Sequence, residues 1–289
     1  MKQFVITTDD NSDLTQAYAK KHDIRLIPLY YNLDGKVYGG EDSLSSKEFY
    51  DQMRAGKMPT TMSINPMVVE DTFREVLKEG YDILHISFSS ALSGSYSVSM
   101  LAAQELREEF PDARIEVIDS LSASLGQGLL VFKADRMRRK GASLDETIQW
   151  IEEHKLHVCH QFTVDNLFHL QRGGRVSKTT AVLGTLAQVK PILHVDKEGR
   201  LVALENKRGR KKSLNALVDR MEASMGKFRE QNDIVFISHG DCLEDATYVA
   251  EQVKKRFGIE EIYINTVCPT IGAHSGPGTV ALFYLGETR

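Results

Sequence analysis

Three stretches of the sequence gather hydroxyl side chains and glycines in short loops: Pro59-Thr60-Thr61-Met62-Ser63, Ser87-Phe88-Ser89-Ser90-Ala91-Leu92-Ser93-Gly94-Ser95, and Ile271-Gly272-Ala273-His274-Ser275-Gly276-Pro277-Gly278. Ser93 and Gly94 precede Val98, Leu101, Ala102 and Leu106, whose spacing is helical. They therefore fall at a helix start, where free N–H groups and the helix dipole favour an anion. A serine there often does no more than cap its helix. Three such loops in one chain point instead to a ligand site.

The same residues allow an enzymatic reading, with Ser93 as nucleophile, His274 as base and Asp9 as the orienting acid of a hydrolase or acyltransferase. The serine loops lack the G-x-S-x-G elbow, so the favoured reading is that these groups hold a ligand without reacting. Gly126-Gln127-Gly128 has no properly placed third glycine and does not directly follow a strand, which argues against a dinucleotide site. No P-loop occurs. His154, His157, Cys159 and His160 suggest zinc, but in a strand His157 and Cys159 face one side and His160 the other, so no metal is expected. The run Lys207-Arg208-Gly209-Arg210-Lys211-Lys212 opens a helix, where cations are disfavoured by roughly 0.3–1 kcal/mol each. Placed against that local cost, it reads as a docking surface for an acidic partner. DNA is the competing partner, but the run has no aromatic platforms, and nucleic acid is not expected.

These loops need a scaffold, and the first half supplies one by alternating strand and helix signals. Phe4–Thr8, Ile83–Phe88 and Arg114–Ile118 read as buried strands. Helices are expected over Asp13–Lys21 (capped by Ser12 or Asp13), Ser46–Arg54, Met67–Glu79, the stretch around Val98–Leu106, about Ser122–Lys140 and Leu144–His154. Ile24–Leu33 is β-rich and turns through Asp34-Gly35 into Lys36–Tyr38. The order implies a mostly parallel sheet with helices on both faces and a ligand crevice at the strands' carboxyl ends. In the second half, strands at Val158–Val164, Ile192–Val195, Leu201–Leu204, Ile234–Ser238, Ile262–Thr266 and Val280–Leu285 mix a hairpin with βαβ, which reads as α+β. Two domains are expected, residues 1–155 and 156–289.

With 289 residues, 42% hydrophobic and 26% charged, the chain has ordinary globular composition and length for two domains. Its net charge of −4 gives no global attraction to nucleic acid or anionic membranes. Three scattered cysteines suit reduced thiols in a reducing compartment. The start MKQFVITTDD turns acidic too soon for a signal peptide, and no run is long enough to span a bilayer, so a cytoplasmic location is expected.

Taken together, the segments resemble the DegV family of fatty-acid-binding proteins, including the binding subunits of bacterial fatty acid kinase. The likeness runs almost end to end. It comprises Thr7-Thr8-Asp9 with Asp13-Leu14, Pro59 to Pro66, Ser89 to Tyr96, Asp119-Ser120 with Gly126-Gln127-Gly128, Leu170-Gln171-Arg172-Gly173-Gly174-Arg175-Val176-Ser177, and Gly272 to Gly278. The resemblance implies a non-catalytic protein that holds a long-chain fatty acid between two α/β domains, without a cofactor. Its carboxylate would be bound by Thr61 and Ser93, with His274 in the same hydrogen-bond network and Gly94, Ser120 and Gly276 supporting the loops. A separate kinase would phosphorylate the acid for phospholipid metabolism, docking at Arg172, Arg175, Arg208 and Arg210. Membrane contact would be transient.

The chemistry agrees: a buried carboxylate needs donors, and hydroxyls, helix N–H groups and a histidine provide them without a permanent buried cation. Met62-Ser63-Ile64-Asn65 and Asp10 depart from the family's usual residues, which leaves chain length and unsaturation open.

Overall fold

The computed structural model describes residues 3–177 and 188–289. The first half runs β1 (Phe4–Asp9), α1 (Gln16–Lys21), β2 (Ile24–Ile27), β3 (Tyr31–Leu33), β4 (Lys36–Tyr38), α2 (Ser46–Arg54), β5 (Thr60–Thr61) and α3 (Pro66–Lys78). It continues with β6 (Asp82–Ser87), α4 (Ser95–Glu109), β7 (Ile115–Asp119), α5 (Leu125–Arg139) and α6 (Leu144–His154). Strands β2-β1-β6-β7 form a parallel sheet in that order. Alternation along these strands sorts the side chains between two layers. Val5, Ile83 and Ile115 pack with α3 and α4, while Ile6, Leu84, Ile86 and Ile118 pack with α5. The expected α/β layout is therefore present.

The second half contains β8 (Val158–Thr163), α7 (Phe168–Arg172), β9 (Val189–Val195), β10 (Leu201–Arg208), α8 (Arg210–Ser224) and β11 (Ile234–His239). It ends with α9 (Leu243–Phe257), β12 (Glu261–Thr266), α10 (Pro269–Ser275) and β13 (Val280–Leu285). Among the described residues its strands form one mixed sheet, β10-β9-β8-β13-β11-β12, in which the neighbours β11 and β12 pair parallel and the other neighbours antiparallel. Helix α5 lies between the two sheets. Its residues Leu125 to Phe132 are all buried, and it touches β1 and β6 on one side and β8, β11 and β13 on the other. The two halves thus share one core.

Three local expectations are corrected. The first helix begins at Gln16, with Thr15 Oγ1 accepting from the Tyr18 N–H (3.1 Å); Asp10–Ser12 form a separate 3-10 turn. Asp13 is unavailable as a cap because its carboxylate reaches across the molecule to the Cys268 N–H (2.9 Å) and the Ser124 hydroxyl. Thr60–Thr61, read as loop, pairs with β3 and with it and β4 forms a third, small sheet. Much of the last glycine-rich loop is helix α10, opened by Pro269, whose missing N–H costs nothing at a first helical position.

Candidate functional site

Between the sheets lies a cavity of about 280 Å³. Leu29, Phe88, Phe162, Val195, Ile271 and Phe283 contribute apolar wall, and Thr61, Ser93, Arg175 and His274 contribute polar groups. An outer groove shares Leu92, Ser93, Gly94, Arg175 and Leu201 with the cavity, so Ser93 and Arg175 stand at the end that meets this groove.

Each polar residue is positioned from a different part of the chain. Thr61 is held by β5, whose pairing to Tyr31 is extended by the Met62 N–H bonding to Tyr30 O (2.9 Å). His274 sits on α10, and its Nε2 lies 2.9 Å from Thr61 Oγ1. Ser93 lies just before α4, with its Oγ 2.9 Å from Ser95 Oγ. Gly94 forms the helix N-cap and lines the cavity.

Burial, reinforced by the charges of Arg175 and Arg172, pushes the His274 pKa down to about 4, so the imidazole is neutral near pH 7. Its Nδ1 has no hydrogen-bond partner among the described residues. In the tautomer protonated at Nε2, His274 donates to Thr61 and leaves the threonine hydroxyl proton free for an acceptor in the cavity. The direction of the arginines' influence also shows that this end carries a positive field, which favours an anion. Half-buried Arg175 and exposed Arg172 thus add positive charge beside the hydroxyls and the histidine.

These two arginines hold the loops together. Arg172 Nη2 donates to Pro59 O (2.8 Å) and Ala273 O (3.0 Å), clamping the Thr61 and His274 segments. Arg175 Nη2 donates to Leu92 O (2.9 Å), fixing the segment that carries Ser93. Arg210, also expected to face a partner, folds inward: Nε donates to Asp245 (2.8 Å) and Nη2 to Gly278 O (2.6 Å). Arg208 is exposed at the end of β10. Ser120 is fully buried and bonds the Ser122 backbone, outside the cavity lining. Gly276, also outside the lining, adopts φ 81°, and a β-carbon there would lie 2.5 Å from the His169 ring.

The residues of a serine triad do not assemble. Ser93 contacts Ser95, His274 contacts Thr61, and Asp9 accepts from the Phe88 N–H (2.7 Å) and the Ser87 hydroxyl (3.3 Å). No group of three or more His, Cys, Asp or Glu among the described residues is arranged to hold a metal ion. His160, weighed only as a zinc ligand, is buried in the cavity wall, with Nδ1 2.9 Å from Val158 O and Nε2 accepting from the Ala123 N–H (3.3 Å). Sequence reading also missed Phe162, Phe283, Asn11, Ser124 and Ser238 as lining residues. The alternation of β8 put His160 and Phe162 on one face, but only tertiary structure shows what that face meets. No helix among the described residues is long and apolar enough to cross a membrane.

A sequence model described as "Uncharacterised protein, DegV family" matches residues 3–287. A DegV domain-containing protein of Clostridium perfringens is 43% identical over 291 residues, covering 100% of this chain and 99% of its own. One from Streptococcus pyogenes is 38% identical over 98% of both chains. Among solved structures, a DegV family protein from Thermus thermophilus, described by its fatty acid binding, superposes with a TM-score of 0.87 at 30% identity, over 99% of this chain and 100% of that one. DegV of Bacillus subtilis, described as a fatty acid binding protein, gives 0.85 at 27% identity, over 99% and 100%.

Proposed function

This chain belongs to the DegV family, and on that premise we propose that it binds a long-chain fatty acid and presents it to a separate kinase. The observation that carries the reading is the Thr61–His274 hydrogen bond at the positively biased end of an apolar cavity. Thr61 and Ser93 hydroxyls donate to the carboxylate. His274 orients the Thr61 proton, and Arg175 offsets the anion's lost hydration. Charge-assisted hydrogen bonds of this kind are about twice as strong as neutral ones. The relatives from Thermus thermophilus and Bacillus subtilis described as binding fatty acids support the ligand class.

The tail supplies most of the gross affinity. At ~0.8 kcal/mol per buried CH₂, about fourteen methylenes offer on the order of 11 kcal/mol. Loss of translational and rotational freedom offsets much of this, and the remainder is still enough to retain a ligand. With the carboxylate at the opening, a cytoplasmic kinase can reach it and transfer a phosphoryl group to form an acyl phosphate for phospholipid synthesis. Arg208 is the best placed of the four arginines to meet that partner, because the other three are engaged with backbone carbonyls. The test is calorimetric titration of delipidated protein with palmitic and stearic acids, followed by addition of ATP and a fatty acid kinase. Micromolar or tighter binding and acyl phosphate formed only when both proteins are present support the proposal; absence of binding removes it.

A further inference from the structure

The cavity has a second polar region that the carboxylate reading does not use. Ser124, at the start of α5, and Ser238, on β11, both line the cavity, and their Oγ atoms lie 2.9 Å apart. The Ser124 hydroxyl also bonds the buried Asp13 carboxyl, which takes a second hydrogen bond from the Cys268 N–H at the start of α10. Two residues before Asp13 stands Asn11, and at the far end of α10 stands Ser275; both line the cavity. Asn11 is 1% exposed and Ser275 6% exposed, yet Asn11 Oδ1 and Ser275 Oγ have no hydrogen-bond partner among the described residues. Burying polar atoms without a partner is costly, so an apolar tail alone leaves them unfavourable.

The backbone at this place is strained as well. Ser124 has φ 56° and ψ −145°, a region populated almost only by glycine. In this conformation its hydroxyl reaches both Asp13 and Ser238.

The chemistry of the cluster selects its complement. The cavity-lining members are an amide and hydroxyls, all uncharged. A second carboxylate would meet the Asp13 carboxyl behind Ser124. A keto group has no proton to give to an unpaired acceptor. A hydroxyl both donates and accepts, so it suits the unpaired amide oxygen of Asn11 as well as the serine hydroxyls. Resting on the fatty-acid reading above, we propose that the preferred ligand is a hydroxylated long-chain acid, its carboxylate at Thr61, Ser93 and His274 and its hydroxyl on the uncharged polar wall to which Asn11, Ser124, Ser238 and Ser275 contribute.

The experiment compares stearic acid with a positional series of monohydroxystearic acids, titrated into delipidated wild-type protein, Asn11→Leu and Ser275→Ala. At one hydroxyl position the wild type should bind at least about tenfold more tightly than it binds stearic acid, the worth of roughly one well-made hydrogen bond. In either variant that ratio should fall toward one, and Ser275→Ala, the smaller change, keeps the test available if Asn11→Leu folds poorly. If stearic acid binds and no hydroxy acid exceeds it, the inference is wrong and the cluster holds only structural water. A preference that persists in both variants also overturns it. If no acid of either kind binds, the fatty-acid reading itself has failed.

Discussion

Gly173 passes so close to His274 that a β-carbon built on it would lie 2.0 Å from Nδ1. The backbone between Arg172 and Arg175 closes over the imidazole only because residue 173 has no side chain. Gly173→Ala should push the ring away from Thr61 and weaken fatty-acid affinity by about tenfold or more, while far-ultraviolet circular dichroism stays native. Gly174→Ala is the control for backbone strain, since Gly174 has open space around its Cβ position but φ 71°. Equal losses in both variants would attribute the effect to the turn and not to His274.

Removing one carboxylate donor should cost more than a neutral hydrogen bond. Thr61→Ala and Ser93→Ala are each expected to lose about 1.5–3 kcal/mol of binding, roughly ten- to hundredfold in Kd. Thr61→Ser should retain most of the affinity because it keeps the hydroxyl. Calorimetry on delipidated protein checks this, and wild-type affinity in both alanine variants would sink the site assignment.

Stability should fall as pH rises above neutrality. Burial raises Asp13 from the usual 3.8 to about 7 and Asp10 to about 8. An acid whose folded pKa exceeds its unfolded value binds more protons in the folded state, so its contribution is lost as pH rises through the folded value. The buried histidines His85 and His274, lowered to about 3 and about 4, act in the opposite sense, but only below their unfolded value of 6.5. Between pH 7 and 9 the aspartates therefore dominate. Differential scanning calorimetry should show a falling Tm over that range, with a shallower slope in Asp13→Asn.

Arg289 joins the two halves. Its guanidinium donates to Leu121 O (2.6 Å), Ser122 Oγ (2.7 Å) and Lys155 O (2.9 Å) of the first half and to Val158 O (3.0 Å) and Asp196 O (3.2 Å) beyond it. Arg289→Ala leaves several carbonyls without this donor and should destabilise the fold by on the order of 3 kcal/mol, measured as a lowered urea midpoint. An unchanged midpoint would mean that water replaces the guanidinium without penalty.

The parts legible in the sequence were those specified locally. Helix α6 is legible to its ends, and Ser143 and Glu146 form a capping box at its start. The parallel strands were readable from short apolar runs with β-rich residues. The two-residue strand β5 was not, since it exists only by pairing with Tyr31 and Asn32 far away in sequence. Helix α10 looked like a loop because Gly272 lies within it, yet that glycine is needed where a β-carbon would come 2.5 Å from Tyr50 Oη. Thr61, Ser93 and His274 could be named from loop chemistry and family resemblance. For Arg172 and Arg175, charge alone does not show which carbonyls the guanidinium reaches, namely Pro59 O and Ala273 O for Arg172 and Leu92 O for Arg175.

The central claim is tested most directly by mass spectrometry of the purified protein, native and then denatured, with the released small molecules identified. The account predicts close to one long-chain fatty acid per chain, retained in the native spectrum and lost on denaturation. A protein that emerges empty and takes up no added fatty acid would contradict it, leaving the fold intact and the ligand wrong.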